Sequence, residues 1–354
     1  MKAQYALIGL FVTSVAHSAD FGLYANAVAA HNIAAAQHAI SNKVFSPMGK
    51  TSRVQPARAP DATQPATNEP AAPAPDGYGE MIYYGEFGDD TGVLPLVTGR
   101  SGGDAAANDF LRVDWQHFSD TVKHKSHQSA KSTSDLVYIG YGQEFNASRL
   151  EFFGGYTGDH TKNDALDLDT DGAFIGASFG KRIQDVEIAA MADFGFALND
   201  VTTTTYGGDL NNFYFGFMAN VAYDYMFYDN AFLRPGFRAG YTLVNSANYI
   251  STAGDNITNK NFGFFELTPM VDIIGNLGGG FSIGAHAGYV INLATGGRTY
   301  VNYAAIPKLS TDDYFEYGIN ISQTFDGFSL DINFGRHDGD RSGWNGGAEF
   351  RYVF

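Results

Sequence analysis

Residues Phe281–Leu293 read FSIGAHAGYVINL, and alternate side chains fall into two sets. Phe281, Ile283, Ala285, Ala287, Tyr289, Ile291 and Leu293 make one face; Ser282, Gly284, His286, Gly288, Val290 and Asn292 make the other. Successive side chains of a strand point to opposite sides, so this spacing predicts a strand with one apolar face and one polar or glycine face. The pattern recurs. Phe315, Tyr317, Ile319 and Ile321 alternate with Glu316, Gly318, Asn320 and Ser322, and Phe328, Leu330, Ile332 and Phe334 with Ser329, Asp331, Asn333 and Gly335. In GWNGGAEFRYVF (Gly343–Phe354), Trp344, Phe350, Tyr352 and Phe354 share one face, while Glu349 and Arg351 take the other.

From Asn108 onward the pattern predicts about twelve strands, at 109–119, 134–146, 149–159, 170–182, 185–198, 212–228, 231–245, 261–276, 280–293, 312–325, 327–337 and 344–354. Their connections alternate in length. NAS, IQD, YDN, NLGGG and FDG are tight. Between them lie TVKHKSHQSAKST, DHTKNDALDL, VTTTTYGGDLN, NSANYISTAGDNITNK, ATGGRTYVNYAAIPKLST and HDGDRSG. A soluble sandwich or propeller has no reason for that alternation. A membrane barrel does, with short turns on one side and long loops on the other. The expected fold is all-β, an antiparallel transmembrane β-barrel of about twelve strands. Its apolar face meets lipid, its polar face lines the lumen, and closure leaves no unpaired backbone edge in hydrocarbon.

Composition agrees. Glycine supplies 42 of 354 residues, aromatics 15% and charged residues only 17%, and mean hydropathy is −0.17. That is how greasy and wet faces average. A net charge of −16 argues against nucleic acid as a partner. Zero cysteines excludes disulfides, thiolate metal sites and a cysteine nucleophile. No stretch holds the roughly 18 apolar residues of a membrane helix.

MKAQYALIGLFVTSVAHSAD has Lys2, an apolar run Ala6–Val12, then small residues at Ser14, Ala16, Ser18 and Ala19. This predicts a secretory signal peptide over 1–19. Residues 20–45 are Ala-rich and free of proline, which predicts a slim helix. Residues 46–79 hold six prolines between Pro56 and Pro75, a composition that predicts a disordered linker. Residues 80–107 read as loop or a short strand, and 108–354 as the barrel. Tether lengths allow the helix either to fill the lumen or to stay in the periplasm.

A barrel of this layout resembles the translocator domain of the autotransporter family. AEFRYVF (Ala348–Phe354) is similar to an outer-membrane assembly signal, with Phe350, Tyr352 and Phe354 on one face. FLRPGFRAGYT (Phe232–Thr242) resembles a family strand carrying proline after leucine, then glycines and an aromatic. FLRVDWQHF (Phe110–Phe118) sits where the family has a Trp-bearing first strand. The resemblance covers about 108–354. It implies the outer membrane of a Gram-negative-type bacterium and a structural, translocator or porin-like role without catalysis or cofactors. Outer-membrane lipid, lipopolysaccharide and the barrel-assembly machinery are the implied partners. Members normally carry a large passenger and a helix running directly into the first strand; here residues 20–107 precede the barrel without internal repeats. The alternatives are a short self-displayed adhesin and an omptin-like surface hydrolase.

Several constellations follow from strand phase. Arg112, Asp114, Glu151, Glu187, Asp193, Arg234, Arg238, Glu316, Glu349 and Arg351 are the expected lumen-lining charges. DLDTDG places Asp167, Asp169 and Asp171 like the opening of a calcium loop, but Ser178 stands where the closing glutamate belongs. The expectation is a solvated acidic loop and no metal. His337 with Asp338 and Asp340, near Asp312 and Asp313, is the one grouping suggesting a water-activating rim. Lys123, Lys125 and Lys131, with His117, His124 and His127, form a basic loop suited to lipopolysaccharide phosphates.

Overall fold

The computed structural model describes residues 24–45, 108–123, 129–145, 147–203, 207–228, 230–251, 254–306, 313–325 and 327–354. The signal-peptide stretch, the proline-rich linker, residues 80–107 and the loop residues His124, Lys125, His127 and Asp312 lie outside them. Among the described residues one helix, α1 (Ala25–Val44), precedes twelve barrel strands. These are β1 (Asn108–Val122), β2 (Ala130–Phe145), β3 (Ser148–Lys162), β4 (Leu166–Ile183), β5 (Val186–Thr203), β6 (Gly207–Tyr223), β7 (Ala231–Val244), β8 (Phe262–Gly278), β9 (Phe281–Gly296), β10 (Tyr314–Phe325), β11 (Phe328–Gly339) and β12 (Arg341–Val353).

Each strand pairs antiparallel with its chain neighbours, and β12 pairs with β1 from Phe110↔Val353 to Val122↔Arg341, which closes the barrel. Alternation holds throughout. Ile175, Phe194, Phe215, Phe237, Ile273, Ile319, Ile332 and Phe350 are exposed on the outer surface, whereas Glu151, Asp193, Arg238 and Glu316 are buried. An apolar exterior with a polar interior is stable only where lipid is the outer solvent. Trp344 and Tyr352 sit in this exposed set.

The strands run longer than alternation by hydropathy predicts. β4 and β5 have 18 residues each, although about 9–11 tilted residues cross a bilayer. The surplus lies at the long-connection end, where the sign of the alternation inverts. Leu166 and Leu168 face inward while Asp167 and Asp169 face out; Val201 and Leu210 are buried while Asp200 and Asp209 are exposed. Above the lipid the outer face meets water, so the apolar set turns inward. Stretches expected as loops are therefore hairpin extensions: β3–β4 needs only residues 163–165, and β11–β12 only Asp340.

The two connections that stay long, 245–261 and 297–313, contribute a four-stranded sheet of Tyr249–Ile250, Asn256–Asn259, Thr299–Val301 and Ala304–Ala305. At the opposite end the turns are tight and use left-handed backbone at Ala147, Gln184, Gly279, Gly280 and Gly327. Between β6 and β7, Tyr225–Tyr228 pairs back onto β7.

Candidate functional site

Alanine dominates α1 (ANAVAAHNIAAAQHAISNKV), and no glycine or proline interrupts it. An isolated helix of this length is marginal in water and needs tertiary burial. It finds that burial inside the barrel, with its backbone closest to β4 through β8. The lumen, one of the two locations that tether length allows, is where the helix lies.

The helix is buried along its whole axis, with Ala39, Ile40, Val44 and Phe45 in the same apolar cluster as its first half, and its polar contacts concentrate toward the C-terminus. Its first half, Tyr24 to Ile33, joins a buried apolar cluster with Leu166, Leu168, Val201, Leu210, Ile257 and Phe264. Tyr24 and Ala25 are essentially inaccessible, and Asn26 Nδ2 donates to the Ala247 carbonyl in the 245–261 connection. The second half is also held by polar keys. Gln37 Nε2 donates to Asp193 Oδ1 (2.9 Å). His38 Nδ1 lies 2.7 Å from Glu266 Oε1, and its Nε2 lies 2.9 Å from Glu316 Oε2. Carboxylates only accept, so both ring nitrogens donate and the ring is an imidazolium. Arg238 Nη1 donates to Ser41 Oγ (2.8 Å), and Lys43 Nζ lies 2.9 Å from Asp114 Oδ2.

A helix C-terminus leaves carbonyls unpaired and carries partial negative charge. Two wall arginines meet it. Arg112 Nη1 donates to the Lys43 carbonyl (2.8 Å) and Arg149 Nη2 to that of Val44 (2.5 Å). Arg112 is itself fixed by Glu151 Oε1 (2.8 Å) and Tyr138 Oη (2.7 Å). The wall also makes room. Gln37 occupies the space a Cβ on Gly216 would take, and Glu151 does the same over Gly140.

Of the ten lumen candidates, Arg112, Asp114, Asp193, Arg238 and Glu316 thus touch the helix. Glu187 and Arg234 pair at 2.9 Å in a separate group with Asp224 and Arg182. Arg351 pairs with Glu144 (2.7 Å), and Glu349 is buried opposite Asp114. Sequence reading missed Gln37, His38, Ser41 and Lys43 on the helix, and Glu266 and Arg149 on the wall. Carrying the β8 alternation through Phe262, Phe264 and Glu266 exposes Glu266; nothing local marks His38.

Three expectations need correction. DLDTDG is not a loop but part of β4, and its aspartates alternate because a strand alternates. Each is matched across β3: Asp167 with Lys162, Asp169 with His160 (2.6 Å) and Asp171 with Tyr156. His337 is not at an open rim. It is buried, with Nδ1 3.1 Å from Asp120 Oδ1 and Nε2 3.0 Å from Asn345 Nδ2. With both ring nitrogens engaged, it has no lone pair free to take a proton from water. The basic stretch is split: Lys131 belongs to β2, and His117 lies on the exposed side of β1, 3.0 Å from Asp135 Oδ1.

Fold and site together define a twelve-stranded β-barrel of outer-membrane type whose lumen holds its own N-terminal helix. The fold is similar to that of solved translocator barrels. The translocator domain of autotransporter NalP from Neisseria meningitidis superposes with a TM-score of 0.60 at 12% identity, over 69% of this chain and 88% of that one. The transport unit of the Escherichia coli autotransporter AIDA-I gives 0.57 at 13%, over 76% and 98%. The β domain of the Bordetella autotransporter BrkA gives 0.55 at 12%, over 70% and 99%. No family model matches the sequence, and no curated protein matches it.

Proposed function

We propose that this protein is a translocator-type outer-membrane barrel that rests closed on its own helix, with a structural rather than catalytic role. The observation carrying this reading is the direction of α1. Its N-terminal half packs under the long connections, which in such barrels are extracellular, and its C-terminus meets Arg112 and Arg149 near the tight turns. Phe45 and Asn108 therefore lie at the same, periplasmic end. The helix ends and the first wall strand begins on that one side, which favours a periplasmic location for the proline-rich spacer.

The test is protease added to intact cells. Spacer residues 46–107 should be spared until the outer membrane is permeabilised, and then cut. Cleavage in intact cells would favour the self-displayed adhesin. Burial of Tyr24 and Ala25 disfavours that alternative, because a displayed segment needs an open exit.

A further inference from the structure

Pairing β3 with β4 removes the calcium-loop reading of DLDTDG and also gathers a donor set that a flexible loop would scatter. His160 lies opposite Asp169, and Lys162 opposite Asp167. Their strand neighbours Thr161, Leu166, Leu168 and Thr170 are buried, so these four side chains share the outer, water-facing side above the lipid. His160 Nδ1 lies 2.6 Å from Asp169 Oδ1 and 3.7 Å from Asp167 Oδ1. All three ligand atoms fall within 4.8 Å of one another. Bonds of about 2.1 Å place two ligand atoms on one metal about 3.0–3.4 Å apart. The side chains of His160, Asp167 and Asp169 are 48%, 34% and 66% exposed, and can close on an ion without moving the backbone.

Two further observations point to a cation at this place. Asp167 Oδ1 is shielded from solvent yet accepts no hydrogen bond, although Lys162 binds the other oxygen, Oδ2. A shielded carboxylate oxygen without a donor is costly. Asp169 also lies opposite Asp200 on β5, and Asp200 opposite Asp209 on β6, all three exposed on the same face. Like charges directly opposite one another destabilise a sheet, and His160 meets this row only at its β3 end. The donor chemistry selects the ion. One imidazole nitrogen with carboxylate oxygens suits a first-row divalent ion such as Zn²⁺, whereas Ca²⁺ takes about six to eight oxygens.

We infer that His160, Asp167 and Asp169 form a zinc-type site on the outer surface of the β3–β4 hairpin. His160 binds through Nδ1, its ring hydrogen then being on Nε2, and each aspartate binds through Oδ1. The remaining positions are open to water. Lys162 is the positioning residue: by holding Asp167 Oδ2 it turns Oδ1 toward His160. The ion ties the two strands together next to their turn at 163–165 and offsets the row of aspartates beside it. The site stands apart from the lumen, so it neither needs the seated helix nor tests it.

The test is isothermal titration of ZnCl₂ into purified full-length protein in detergent, after chelator has been used and dialysed away. Wild type should show a saturable binding event that survives a large excess of CaCl₂. His160→Ala should weaken that event about tenfold or more. Asp169→Asn, which keeps the side-chain shape, should do the same and serves if the first variant does not assemble. Asp338→Asn, on the outer face of β11, should stay within about twofold of wild type. Hydrogen exchange places the ion: Zn²⁺ should slow the amides of 160–169 in wild type and leave them unchanged in His160→Ala. Slowing of these amides distinguishes this site from zinc held by other histidines of the chain. No saturable binding, displacement of Zn²⁺ by Ca²⁺, or an isotherm and exchange pattern unchanged in both folded variants would overturn the site.

Discussion

Replacing His38 by leucine keeps most of the side-chain volume and removes both of its ion pairs. Glu266 and Glu316, with side chains only 7% and 4% exposed, would then face each other unpaired. Removing one partner from a buried charge cluster costs about 3–5 kcal/mol. At about 1.4 kcal/mol per decade, the seated state loses about two to three and a half decades relative to the displaced one. Water entering beside the helix screens part of that, so the lower half of the range applies. The assay is single-channel recording of full-length protein in planar bilayers. His38→Leu should raise the frequency of large openings by about a hundredfold. Adding Glu266→Gln and Glu316→Gln should reverse much of the effect, because two amides can bond to each other without buried charge. Large openings within about threefold of wild type in His38→Leu would refute the reasoning, since overpairing of that magnitude cannot be removed silently.

Gly216→Val suits a strand but places methyl groups where the Gln37 amide sits. Overpacking of about 1–3 kcal/mol should loosen the helix and speed tryptic cleavage at Lys43 about tenfold or more in purified protein. Arg112→Met strips Glu151 of its cation and uncaps the Lys43 carbonyl. The heat-induced mobility transition of the barrel on denaturing gels should fall by several degrees, and more than for Arg351→Met, whose partner Glu144 is less buried. Deleting Phe354 should lower the amount of barrel in outer-membrane fractions without shortening its half-life once inserted; wild-type levels would remove the assembly role proposed for Phe350, Tyr352 and Phe354.

The wall was legible because membrane strands carry their own signature. Ile283 beside Gly284, or Phe334 beside Asn333, states a face without any tertiary information. What hydropathy alternation concealed was the inversion above the lipid, where Leu166 and Leu168 turn inward and Asp167 and Asp169 outward. Read with a fixed apolar-out rule, that stretch looks like a loop, and its aspartates like a calcium site. Lumen charges were legible by phase, including Arg112, Asp193 and Glu316. Their partners were not, because α1 has no apolar stripe to announce a docking face. Its polar residues Gln37, His38, Ser41 and Lys43 acquire meaning only against Asp193, Glu266, Glu316, Arg238 and Asp114, all at least 71 residues away in sequence. The same separation misled the reading of His337, whose partner Asp120 lies at the far end of the chain and across the closing seam.

The occupied lumen is the central claim, and cysteines at positions 37 and 216 test it most directly. Oxidation in intact cells should link them, so that the full-length chain migrates as a looped species on non-reducing gels and reverts on reduction. A control pair at 37 and 284, a wall position covered by Asn320 rather than by Gln37, should stay unlinked. Efficient linkage of 37–216 alone is the predicted result; no linkage, or equal linkage of both pairs, would contradict a helix seated against β6.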